Sequence, residues 1–341
     1  MVVWYHFGPI TFFSKNGAEA VTFFFFVSGF VMFLAYSRYL NINSPPFSRL
    51  NFYVKRIARI YPLYLFALLI LILFHYLIMP IDTNTVKYRL PFEILGIQRW
   101  MYAHSFNAPA WTVSCELLFY AIFPFALLYM KKNETHFRVF AWSYYAITYV
   151  ITIILGFLIK MNLTPVLKII VSGLYLNPIF LISTFFLGIL SGKTFYGNKI
   201  KFFRNSWRSL FCFLICVILI FLIKYFIPSE EYLRCGLLSP IYFVMVLSAT
   251  SFKFTRKPIV SNPFFIYLGE ISYGIYILQI PFSRYFFHYI INYKNNWPTF
   301  FFFLVILIAF ASITYFVVDK PLKKVILSKF IVKKLDGNRE T

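Results

Sequence analysis

The chain alternates long apolar stretches with short polar joints. Most stretches have the roughly 17–25 residue length that carries a helix across a bilayer. They lie at 1–13, 18–36, 60–80, 111–130, 139–159, 169–190, 209–227, 236–251, 265–287 and 299–318. This pattern predicts an all-α, polytopic transmembrane helix bundle of about ten spans. The first stretch is too short, and its first cation is Lys15, so it lacks the basic lead of a signal peptide. It reads as the outer half of a span truncated at its N-terminal end. Residues 1–325 read as one transmembrane domain and 326–341 as a basic cytoplasmic tail, with no internal repeat.

Composition supports the bilayer reading. Of 341 residues, 60% are apolar and 13% charged, with 46 Phe. Soluble chains are nearer half apolar and a quarter charged, so the surplus has to face lipid. A net charge of +22 raises the question of nucleic acid. A nucleic-acid binder needs an exposed basic face. Here the cations stand in short runs between apolar stretches, at Lys131-Lys132, Lys199 to Arg208 and Lys320 to Lys334. That is positive-inside topology, and no nucleic-acid partner is expected. Placing those runs, Arg38 to Arg59 and Lys253 to Lys257 in the cytoplasm puts both termini inside, in a cell inner membrane. The acidic pair Glu230-Glu231 then falls outside, and the longest outer loop, 81–110, is placed to roof a site. Cys115, Cys212, Cys216 and Cys235 have no His or acid beside them in sequence, so neither a metal site nor a disulfide framework is expected.

Ionisable groups inside spans are site candidates, because each is costly unless paired or facing a cavity. His6 lies about 10 Å from the outer end of the first stretch at 1.5 Å per residue. On residue physics it is either a member of an aromatic belt with Trp4 and Tyr5 or a buried base. Glu116 lies about 7–8 Å into the stretch that opens at Trp111. It is either a structural hydrogen-bonding group or the carboxylate that orients His6. Arg56 and Arg59 project from one helix face and suit either phosphates or lipid head groups. Gly29, Gly269 and Gly274 read as marks of close packing or broken helices.

These residues resemble a known family, the acyltransferase family 3 of membrane O-acyltransferases. The resemblance rests on Phe24-Phe25-Phe26-Val27-Ser28-Gly29-Phe30 and on Lys55-Arg56-Ile57-Ala58-Arg59-Ile60-Tyr61-Pro62. It continues through Trp111-Thr112-Val113-Ser114-Cys115-Glu116, Ile271-Ser272-Tyr273-Gly274-Ile275-Tyr276 and Asp319-Lys320-Pro321, in the family's order. It implies transfer of an acyl group, usually acetyl, from acyl-CoA to a hydroxyl of an envelope glycan or lipid, with acyl-CoA as co-substrate and no bound cofactor. By the same resemblance, His6 takes the place of the essential histidine, Arg56 and Arg59 the CoA side, and Glu116 the acid of its motif. Leu117, Leu118 and Gln279 stand where the family has Glu, Gln and His.

Direct attack is the expected mechanism. His6 takes the hydroxyl proton and Glu116 orients it from a shared cavity. Trp111, Ser114, Tyr120, Tyr273 and Gln279 line the acceptor side. Arg56 and Arg59 are expected at the inner end, away from His6 and Glu116 at the outer. The competing class is a transporter or flippase for a small envelope precursor.

Overall fold

The computed structural model describes residues 2–9, 17–41, 46–78, 82–101, 105–161, 164, 177–197, 205–226, 236–251, 262–290 and 296–330. Among these there are helices and no strand. A six-residue helix α1 (Val2–Phe7) precedes α2 (Gly17–Tyr36) and the 29-residue α3 (Arg49–Leu77). Next come α4 (Thr83–Leu95), α5 (Gln98–Met101), α6 (Trp111–Lys132) and α7 (Glu134–Lys160). The second half holds α8 (Pro178–Tyr196), α9 (Ser206–Phe226) and α10 (Ser239–Thr250). It closes with α11 (Pro263–Tyr285), α12 (Trp297–Thr314) and α13 (Lys320–Phe330). Among the described residues 8 helical segments are long and apolar enough to cross a membrane, α12 and α13 forming one of them, and α10 is a shorter apolar helix. With α1, they fall on the stretches read from the sequence.

Asparagines set many of the helix starts. The side chains of Asn133, Asn177, Asn262 and Asn296 each accept a backbone N–H of the first turn, at 2.9–3.1 Å. This satisfies a donor that a helix start otherwise leaves open. Pro178 and Pro263 follow two of these caps at the position where a missing N–H costs nothing.

Among the described residues, the basic ends at Tyr39, Lys131 and Lys193 meet at one end of the bundle. Lys131 Nζ donates to the Tyr39 carbonyl at 3.0 Å, and Lys193 pairs with Glu134 at 3.4 Å. The C-terminal helix α13 packs on α3. Residues 331–341 of the expected tail, most of the Lys199 to Arg208 run, Lys253 to Lys257, Glu230-Glu231, Cys235 and His104 lie outside the described residues.

Two glycines carry the contact between α2 and α8. A Cβ on Gly188 would fall on the Phe26 carbonyl oxygen, and one on Gly29 on the Phe185 carbonyl oxygen. Backbone meets backbone here, which explains Ser28-Gly29 in the middle of an apolar run. The span-nine glycines differ from expectation. A Cβ on Gly269 would meet nothing within 4 Å, and one on Gly274 only ordinary contacts at 3.5 Å or more, while α11 runs unbroken around both.

Replacing Gly188 with Ala should therefore cost about 1–3 kcal/mol through overpacking. Gly269→Ala should be neutral or slightly stabilising. Thermal unfolding of the two purified variants, followed by intrinsic fluorescence, checks this; equal midpoints would mean that the α2–α8 contact yields freely.

Candidate active site

The length of α3 shapes the site. Helix begins at Arg49, eleven positions before the expected 60, so Arg56 and Arg59 lie inside the span rather than at its mouth. Tyr53 donates to the Ala121 carbonyl at 3.1 Å, which locks α3 against α6. Further along the pair, Arg56 and Arg59 come within electrostatic reach of Glu116. The arginines and Glu116, expected at opposite ends, share one level because α3 and α6 run antiparallel past each other.

Around Glu116 the contacts are specific. Tyr120 donates to its Oε2 at 3.3 Å. The Arg56 guanidinium lies 5.7 Å from the Tyr120 ring centre and 6.0 Å from that of Phe52. Arg56 Nε is buried without a hydrogen-bond partner among the described residues. Tyr273, which donates to the Ile60 carbonyl at 3.2 Å, and Tyr276 are close enough to feel the Glu116 charge. Arg59 lies within electrostatic reach of a second acid, the buried Asp319, one of whose carboxylate oxygens accepts no hydrogen bond among the described residues. Asp319 was legible only as part of the Asp-Lys-Pro motif, with nothing to say that it turns toward Arg59.

The loop expected as a roof is a packed element. Tyr61 donates to the Leu95 carbonyl at 2.9 Å, Tyr64 to that of Glu93, and Gln98 Nε2 to that of Ala110 at 3.0 Å. Asn107 Nδ2 donates to the Ile277 carbonyl at 2.8 Å, and Tyr276 to that of Pro109 at 3.0 Å. The roof is thereby sewn to α3 on one side and α11 on the other. Ser114 is fully buried and its hydroxyl accepts the Arg99 N–H at 3.3 Å. Arg99 is 6% exposed, with its guanidinium 6.0 Å from the Trp111 ring centre. Neither Arg99 nor the fully buried Glu93 is distinguishable in sequence from an ordinary polar residue of the 81–110 loop. Gln279 is also fully buried, its Nε2 donating to the Tyr276 carbonyl at 2.9 Å while Oε1 has no hydrogen-bond partner among the described residues.

His6 stands apart from this group. It is half-buried in α1, its ring 5.0 Å from Tyr5 and 6.0 Å from Phe7. Phe7 packs on Phe303 at 4.8 Å, and Trp4 on Trp297 at 5.4 Å, so α1 is held by aromatic contacts to α12 and to the segment after α11. Among the described residues no hydrogen bond or ion pair joins His6 to Glu116. Nor does any group of three His, Cys, Asp or Glu there suit a metal ion.

Glu93 ties the roof together. Its Oε1 accepts the Phe106 N–H at 2.8 Å, joining α4 to the segment that leads into α6. Burial, ahead of the opposing Phe106 N–H and the Arg89 charge 3.9 Å away, pushes its carboxyl up to about 7. In an unfolded chain the same group titrates near 4.5. The folded state thus holds a proton that the unfolded chain has released, a stabilisation complete below pH about 4.5 and lost as pH rises through about 7. The melting temperature should fall by a few degrees between pH 5 and 8, and Glu93→Gln should flatten that slope. A variant that keeps the wild-type slope would place its source elsewhere.

With this geometry in place, comparisons with known proteins can be weighed. A family model described as an acyltransferase domain matches residues 1–317. The chain is 34% identical over 122 residues to acyltransferase MdmB of Streptomyces mycarofaciens, covering 34% of this chain and 30% of that protein. It is 27% identical over 249 residues to putative acetyltransferase ORF330 of Acidianus two-tailed virus, covering 71% of this chain and 67% of the viral protein. No solved structure matches. The family match spans four of the five motifs, together with the short α1 that carries His6, and stops two residues before Asp319-Lys320-Pro321; on that breadth the chain belongs to the acyltransferase 3 family.

Proposed function

We propose that the chain is a membrane O-acyltransferase that moves an acyl group, acetyl being the simplest, from acyl-CoA to a hydroxyl of an envelope glycan or lipid. The observation that carries this reading is the Arg56, Arg59, Glu116 and Tyr120 group beneath a sewn-down roof, in a chain of this family. By the positive-inside rule the basic end faces the cytoplasm, where acyl-CoA is made. Arg56 has its Nε unpartnered and its guanidinium held near two aromatic rings, so it has donors left for a phosphate or for the thioester oxygen. Arg59, set between Glu116 and Asp319, is the fixed member of the pair.

The reaction then runs as an addition and an elimination. The acceptor oxygen attacks the thioester carbonyl as His6 removes its proton. The carbon–sulfur bond breaks, and CoA leaves as the thiolate. The arginines stabilise charge on the donor side. Glu116 acts in this scheme through the arginines and Tyr120, and meets His6 only across bound substrate. Trp111, Ser114, Tyr273 and Gln279 shape the acceptor side, Ser114 and Gln279 by fixing backbone.

The test is acyl transfer by the protein in proteoliposomes supplied with acetyl-CoA and envelope extract, read by mass spectrometry as an acetyl-sized gain. His6→Ala should reduce transfer by about 10²–10⁴-fold with insertion intact. Glu116→Gln should lower kcat, and Arg56→Lys should chiefly raise KM for acetyl-CoA. Full transfer by His6→Ala would remove the general base.

A further inference from the structure

A cavity of about 480 Å³ lies between α1, α2, α9, α10 and α11. That volume is in the ~300–1,000 Å³ range of small-molecule sites. Val3, Ala20 and Met245 supply apolar wall, and Glu19, Ser272 and Tyr276 are among its few polar groups. It sits where the proposed chemistry needs it. Tyr276, on one wall, feels the Glu116 charge, while α1, which carries His6, forms another.

Glu19 is the informative residue. It is 5% exposed and pairs with Lys224 Nζ at 3.2 Å through Oε1. Neither of its carboxylate oxygens accepts a hydrogen bond among the described residues. A carboxylate offers about four acceptor sites; the Lys224 ammonium stands against one oxygen, and leaving the remaining sites empty in an apolar setting is costly. Donors from a ligand would fill them. Because Lys224 already balances the charge, a cationic or anionic ligand would leave an uncompensated charge in a low-dielectric wall. The suitable donor is an uncharged hydroxyl.

We infer that this cavity seats the acceptor as an uncharged, hydroxyl-bearing amphiphile, its hydroxyls donating to Glu19 and its apolar part lying against Val3, Ala20 and Met245. The term acceptor rests on the acyl-transfer reading; the binding of the amphiphile does not.

The test uses two photoreactive probes on the full chain in proteoliposomes. One is an alkyl glucoside with a diazirine in its tail, the other the same alkyl diazirine without the sugar. Mass spectrometry should map the glucoside to segments 19–24, 242–245 and 272–276. Glu19→Gln should lower glucoside labelling there about tenfold, the size expected for hydrogen bonds to a charged group. Labelling by the sugar-free probe should stay unchanged, and Ala20→Trp should exclude both probes. Since Glu19→Gln removes one carboxylate partner of Lys224, Glu19→Gln with Lys224→Met removes both charges of the pair and should also lose the preference for the sugar. Equal labelling by both probes, unaffected by either change at Glu19, would mean a lipid chain only and overturn the inference. Label spread over all lipid-facing helices would overturn it as well. Acetyl transfer to the glucoside is measured in the same vesicles. Transfer without label in the cavity refutes the cavity alone; label without transfer refutes the enzymatic reading and leaves the amphiphile site standing without the role of acceptor.

Discussion

Placing a carboxylate in the middle of an apolar bundle removes its hydration, and the surrounding structure has to replace it. Glu116 receives the Tyr120 hydroxyl and the fields of two arginines. Much of the architecture follows from delivering those groups. The arginines reach Glu116 only because α3 continues as helix well below the expected span, and α3 keeps its register through Tyr53 on Ala121. Arg59 in turn draws in Asp319 from the junction of α12 and α13, which brings the C-terminal helix against α3. Two acids and two arginines thus form a cluster close to neutral that is cheaper to bury than any one of its members.

The roof solves a different problem. A loop of irregular backbone beside a membrane bundle must find partners for its carbonyls and N–H groups. Here the partners are side chains: Tyr61, Tyr64, Gln98, Asn107 and Tyr276 each donate to a carbonyl. The aromatic richness of the chain is therefore not only lipid-facing surface. Tyrosine supplies an apolar body for the bundle and a donor at its tip, which suits joints between spans and roof.

The spans were legible in the sequence because bilayer thickness fixes their length and composition. Arg56, Arg59 and Glu116 were legible as candidates because charge is conspicuous in an apolar run. Their level was not, since the polar residues from Arg49 to Lys55 resemble a loop until their helix is seen. Glu19 and Lys224 escaped notice for a related reason. Each stands near the end of an apolar run, where a charge ordinarily snorkels to the interface, and nothing local shows that the two meet as a buried ion pair. Glu93 and Arg99 read as loop polarity, since nothing local shows that their loop folds inward. The expected pairing of His6 with Glu116 rests on matched depth and on the cost of leaving either group facing lipid, and neither carries information about direction around the bundle.

The glycine contact between α2 and α8 has a mechanical consequence. Two helices whose backbones touch at Gly29 and Gly188 have no side-chain layer to slide on, so they move as a single strut. The strut includes the α2 wall of the Glu19 cavity, and the roof is likewise fastened to α11. The degrees of freedom left at that cavity belong to α1 and to the thinly buried α9. A molecule entering that cavity from the bilayer would therefore meet a rigid frame on the α2 side and, on another, the short helix that carries His6.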